Sequence, residues 1–142
     1  MAQNAASIDI KDILVDEGIG TFAATTGWGI YVGRMPDDGL DTTITIYDTG
    51  NPDPEIGVAI DKPTIQILVR GTEWDYPGTN TKCVNIKNVL HRRPTETVNT
   101  TIYDGIYLIN GPKFLEYDTK NRPVFSLNFR MFAEPSDTGY RI

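Results

Sequence analysis

From Val124 to Phe132 the chain alternates without a break: Phe125, Leu127, Phe129 and Met131 fall on one side, Ser126, Asn128 and Arg130 on the other. A period of two over this length is a β-strand with one face in a core and one toward water. The chain is thereby committed to a sheet with an apolar face, and the remaining segments must share that face or cover it. Ile65, Ile67 and Val69 alternate with Gln66, Leu68 and Arg70; with Leu68 on the second face, this strand is expected at the centre of the sheet. Ile44 and Ile46 stand opposite Thr43, Thr45 and Tyr47, and Ile30 to Val32 opens a further strand that stops at Gly33. Pro36 and Asp38-Gly39 are turn chemistry, so these two segments read as an antiparallel pair with a long connection. In the second half, 102–109 is apolar on both faces with Gly105 breaking the run, Gly111-Pro112 reads as a turn, and 114–117 is a short strand. With 118–122 turning the chain into the final alternation, these segments form a β-meander.

Two helical patterns supply the cover. Ser7 is placed to cap a helix over 8–17, with Ile10, Ile13 and Leu14 buried, Asp9, Asp12 and Asp16 facing away, and Gly18 ending it. The second spans Asp75 or Tyr76 to about His91, with Asp75 as N-cap, Pro77 in the first turn, and Cys83, Ile86, Val89 and Leu90 as the buried stripe. The expected fold class is α+β: one domain over 1–142, a mostly antiparallel sheet of five or six strands, and two helices packed on one face. Residues 1–6 and 134–142 are expected to be ordered only in an assembly.

The chemical inventory is thin. A net charge of −6 and a pI near 4.6 repel phosphate backbones, and the His91-Arg92-Arg93 cluster reads as a helix end complementing its dipole. Nucleic acid is therefore not an expected direct ligand. No apolar run is long enough to span a bilayer, and the first residues carry no secretion signal. Cys83 is the single cysteine, which precludes an intramolecular disulfide and fits synthesis in a reducing cytoplasm. A single histidine excludes a two-His metal site, and no nucleophile elbow or cofactor motif occurs. The glycines of 18–29 lack the strand and Lys-Ser/Thr that a phosphate cradle needs. Carboxylate pairs exist at Asp37-Asp38, Asp53/Glu55 and Asp104/Glu116, but such pairs are common on acidic surfaces, and the Asn99-Thr100-Thr101 sequon has no secretory context. No catalytic residue, metal or cofactor is expected.

The loops then gain weight. The 48–61 loop carries Asp48, Asn51, Asp53 and Glu55 with Pro52 and Pro54, and loops of that length in compact domains are usually functional. A calcium or carbohydrate site there is the alternative, although the spacing departs from the helix–loop–helix calcium pattern. Candidate interface residues are Arg34 and Met35 on the 34–40 link, Asp48, Asn51, Asp53 and Glu55 on the loop, Arg70, and Tyr140 in the tail. Trp74, Tyr76, Tyr103, Tyr107 and Tyr117 are core packers first, although Tyr, Trp and Arg concentrate binding energy at subunit contacts.

The ordered run Ile30-Tyr-Val-Gly-Arg-Met-Pro36, Ile44-Thr-Ile-Tyr-Asp-Thr-Gly50, Pro52-Asp-Pro54 and Lys62-Pro-Thr-Ile-Gln-Ile-Leu-Val-Arg-Gly71 resembles the minor capsid or tail terminator family of long-tailed bacteriophages. The likeness extends through the 76–91 helix and more loosely to the strand over 123–134; its one departure is the Tyr76-Pro-Gly78 helix start. The resemblance implies a structural virion protein, made in the host cytoplasm, that forms a hexameric ring on the head-proximal end of the tail tube. There it would end tube polymerisation and dock head-completion proteins. The implied partners are further copies of itself, the tail tube protein and a head-completion or connector protein. Another connector or minor capsid subunit is the near alternative.

Overall fold

The computed structural model describes residues 5–22, 26–50 and 61–135. The elements, in order, are α1 (Ala6–Asp16), β1 (Thr21–Phe22), β2 (Gly29–Val32), β3 (Thr43–Gly50), β4 (Thr64–Arg70), α2 (Tyr76–Leu90), β5 (Glu96–Val98), β6 (Thr101–Tyr117) and β7 (Pro123–Pro135). They form an α+β fold whose seven strands run in the order β1-β2-β3-β4-β7-β6-β5. β4 is central, as its two-faced alternation required.

The core lies on one side of this sheet. Registered rows such as Ile44–Val69–Phe125–Phe114 and Ile46–Ile67–Leu127 cross it. Ile10, Ile13 and Leu14 of α1 and Cys83, Ile86 and Leu90 of α2 join these rows in one buried cluster. The alternate residues of the same strands, among them Gln66, Arg70, Ser126, Asn128 and Arg130, point the other way. Asp75 caps α2 by accepting from the Gly78 amide at 3.0 Å, which is how a helix can begin at Tyr76-Pro-Gly78. At the end of α1, Gly18 takes φ +75. The Ile19 amide then reaches the Leu14 carbonyl at 3.0 Å and that of Gly18 reaches Val15 at 3.1 Å, a Schellman closure.

Several expectations are corrected. The sheet is mixed and has seven strands, because two short edge strands, β1 and β5, escape a periodicity reading. β2 and β3 pair in parallel, not as a hairpin: Ile30 lies against Ile44 and Val32 against Ile46. The chain does not turn at Gly111-Pro112. β6 instead runs on through register shifts to Tyr117, and a Cβ on Gly111 would meet the Ser126 carbonyl oxygen at 2.5 Å, so only glycine lets β7 approach there. β7 extends through Glu134 to Pro135, further than the expected start of the tail, and pairs with Ile102 and Thr101.

α1 differs as well. It starts at Ala6 with Ala5 in the cap position, and Ser7 donates through its amide and hydroxyl to Asp48 at 3.0 and 2.6 Å. A carboxylate from β3 thus serves the orphan amides of the helix start in place of a local cap. Asp9 does not face water. It is fully buried, accepting from the Tyr103 hydroxyl and from Asn99 Nδ2.

Candidate assembly surface

Two arginines shape the connection between β2 and β3. A parallel pair needs the chain to travel back along the sheet, usually by a helix; here the 33–42 link does so without one. Arg70 is only 2% exposed and projects from β4 away from the helices. It donates from Nη1 to the Pro36 carbonyl at 2.8 Å, from Nη2 to Leu40 at 2.8 Å and from Nε to Asp41 at 2.9 Å. Arg122, equally buried, sits behind it. It bonds Asp118 at 2.7 Å, Asp37 at 3.0 Å and Asp41 at 3.1 Å.

The electrostatics follow from this pairing of like charges. Burial, and then the Arg122 charge, hold the Arg70 pKa below its ordinary value. Burial also works against the Arg122 cation, but Asp118, Asp41 and Asp37 outweigh it and raise its pKa. Burial likewise opposes the Asp118 carboxylate, yet the Arg122 amide and guanidinium and the Lys120 amide together lower its pKa. A planar guanidinium suits three converging carbonyls better than an ammonium.

The sequence candidates distribute as follows. Arg34 is exposed where the chain leaves β2, and Met35 beside it is half-buried. Arg70 is the anchor beneath their link. Asp48 is in β3, engaged with Ser7 and away from the clamp. Asn51, Asp53, Glu55 and Tyr140 lie outside the described residues. Arg122 was missed by sequence reasoning. Its signal was a charged pair four residues apart, Asp118 and Arg122, in a segment that reads only as a turn.

A second feature is apolar. Of the eight large hydrophobic residues exposed among the described residues, Tyr107, Ile109, Leu115 and Tyr117 lie on β6, with Trp74 and Tyr76 beside it at the start of α2. The rings form a chain: Trp74–Tyr117 at 5.0 Å, Tyr117–Phe114 at 5.1 Å, Phe114–Tyr76 at 5.2 Å and Phe114–Phe125 at 5.5 Å. Trp74 is 60% exposed and holds φ +60, a conformation costly for a bulky aromatic residue. β5 pairs with β6 only over Thr101–Tyr103. The end of α2 engages β6 at two further points, from the Arg92 amide to Ile106 and from the Leu108 amide to His91 Nδ1. Past these, no strand pairs with the outer edge of β6 among the described residues. Glu73 and Asp75, next to Trp74 in sequence, are exposed, while Glu116 and Lys113 are exposed on the opposite face of the sheet, registered with Val124 and Ser126.

Among the described residues, Cys83, Tyr103 and His91 are each buried or engaged. Desolvation pushes the Cys83 thiol up to about 12. Burial, then the Asp9 hydrogen bond and charge, raise the Tyr103 pKa. His91 accepts a backbone amide. Asp104 and Glu116 lie far apart along β6 and do not form a pair; it is Glu134 that lies against Asp104, whose hydrogen bond and charge raise the Glu134 pKa. A cleft of about 310 Å³ between α1 and β5 is lined by Asp12, Asp16, Arg93, Glu96 and Asn99, and Arg93 there is tied to Glu17, Glu96 and the Val89 carbonyl. Among the described residues no group of His, Cys, Asp and Glu is set to hold a metal, and no helix is long and apolar enough to cross a membrane.

A family model described as "Bacteriophage tail terminator protein" matches residues 13–135. No curated protein matches the chain significantly. The matched span takes in every strand, both clamp arginines and the aromatic strip along β6. The chain belongs to the bacteriophage tail terminator family, and it is a structural component of a phage virion.

Proposed function

We propose that this protein forms a hexameric ring on the head-proximal end of the tail tube, ends polymerisation of the tube protein, and presents a docking surface to head-completion proteins. Within the family assignment, the observation that carries this reading is the β6 edge. Half of the exposed large hydrophobic residues among the described residues lie on this strand, whose outer edge no strand pairs beyond Tyr103. An isolated domain is penalised for such an edge by aggregation; a subunit of a closed ring is not, because its neighbours cover it. The 34–40 link, with Arg34 exposed, Met35 half-buried and Arg70 fixing it from beneath, is a second contact surface to a neighbour or to the tube. Asp48, Asn51, Asp53, Glu55 and Tyr140 are further contact candidates.

Native mass spectrometry of the full chain tests the ring directly. A dominant species of six copies is expected at micromolar concentration, or on adding tube protein. A protein that stays monomeric in both conditions refutes the ring.

A further inference from the structure

We propose that the ring closes by laying the β1 edge of one copy against the β6 edge of the next, with Phe22 of the first seated on the Trp74–Tyr76–Phe114–Tyr117 cluster of the second. The inference rests on the ring reading above and names the contact that would close it. Both edges are open among the described residues. β1 ends the sheet and pairs only with β2, and beyond Tyr103 no strand pairs with the outer side of β6. Both edges also carry apolar surface on the same side of the sheet. Phe22 is registered with Ile30, and the row runs on through Ile44, Val69 and Phe125 to Phe114. Registered neighbours share a face, and Ile30, Ile44, Val69 and Phe125 all belong to the core beneath the helices. Phe22 and Phe114 therefore end one apolar row at opposite edges of the sheet.

Apolar surface selects the occupant. Seven of the eight large hydrophobic residues exposed among the described residues belong to β6, to α2 or to the turn before α2; the eighth is Phe22, 55% exposed at the far edge. Away from the cluster's own side of the molecule, Phe22 is thus the one large apolar side chain that a second copy offers from these residues. Charge agrees with the choice. Lys11 Nζ lies 4.8 Å from the centre of the Phe22 ring and arrives with it, while Glu73 and Asp75 are the exposed sequence neighbours of Trp74. Asp12 occupies one of the three donors of that ammonium, so a carboxylate of the next copy can take another. Pairing the cluster with itself would leave Phe22 and the β1 edge uncovered and would stop at two copies. The β1–β6 contact is heterologous, so it repeats from copy to copy and can close a ring.

The test uses the full chain, a short bismaleimide cross-linker and native mass spectrometry. Thr21→Cys and Glu73→Cys place a thiol beside each half of the contact without removing a ring, and the natural thiol, Cys83, is buried. A mixture of the two variants should cross-link into pairs holding one copy of each. Neither variant should cross-link to itself, and a chain carrying both should give a ladder that ends at six copies. In parallel, Phe22→Ser and Trp74→Asn, whose new side chain tolerates the left-handed backbone, should each raise the concentration for assembly by about tenfold or more. Both positions are exposed, so monomer melting should stay near wild type and report on folding separately. Self-cross-linking of either cysteine variant would show that like edges meet and overturns the proposal, as does a mixture that assembles normally without cross-linking. Normal assembly of Phe22→Ser and Trp74→Asn overturns it too, and rings of these variants that persist but no longer cap tube protein would assign the cluster to the tube. Where the wild type forms rings, these results refute this contact alone; a wild type that stays monomeric refutes the ring reading with it.

Discussion

Replacing Arg70 by methionine isolates the clamp on the β2–β3 link. The change keeps an unbranched apolar stem and removes the guanidinium that donates to three carbonyls at 2.8, 2.8 and 2.9 Å. Hydrogen bonds from a cation contribute about 1–1.5 kcal/mol each after exchange with water, or about 3–4 kcal/mol for the three. Removing a desolvated charge that crowds Arg122 returns about 1 kcal/mol, so the net loss should be about 2–3 kcal/mol. For a chain of this size that lowers Tm by about 6–9 °C. Arg70→Lys should fall between, because an ammonium reaches some of these carbonyls without matching their fork. Thermal and urea unfolding measure the loss, and hydrogen exchange over 33–42 locates it. An Arg70→Met variant melting within about 1 °C of wild type, with unchanged exchange in the link, would refute the clamp.

Other outcomes follow from the same structure. The folded Asp118 carboxyl titrates below its ordinary value of 3.8, so its contribution is complete at neutral pH and disappears as pH falls below about 4; Asp118→Asn should flatten the acid limb of a stability–pH curve, and an unchanged limb would contradict this. Tyr103→Phe removes a donor from the buried Asp9 carboxylate and should cost about 1–3 kcal/mol in urea unfolding; a neutral substitution would show that Asp9 has other support. With its pKa pushed up to about 12, Cys83 should resist thiol reagents at pH 8 until the chain unfolds, and fast stoichiometric labelling of native protein would deny its burial. Gly111→Ala should destabilise the β6–β7 pair, since its Cβ would fall 2.5 Å from the Ser126 carbonyl oxygen; a variant as stable as wild type would show that β7 can yield.

What could be read in advance was what local pattern determines. The alternation of β4 and β7, the stripe of α2, its Asp75 cap and the Gly18 closure are each set by residues a few positions apart, and each is present. The parallel pairing of β2 with β3 was not legible, because its direction is secured by Arg70 and Arg122 acting on a link some 30 to 85 residues away in sequence. Helical periodicity likewise put Asp9 in water; a partner 94 residues away, Tyr103, makes its burial tolerable. Ser7 looked like a cap for the same reason, since nothing local reveals that Asp48 takes that role. At the candidate surface, Arg34 and Met35 were singled out only through the length of their loop, while the exposed residues of β6 were half-legible. Its aromatics were visible, but their exposure depends on how far β5 covers β6.

The account turns on whether this subunit ends a tube. Purified tube protein allowed to polymerise with increasing amounts of the full chain, its tube lengths measured by electron microscopy, is the direct measurement. The account predicts tubes that shorten with dose and carry a ring at one end only. Tubes of unchanged length, with no density at either end at saturating protein, would contradict it.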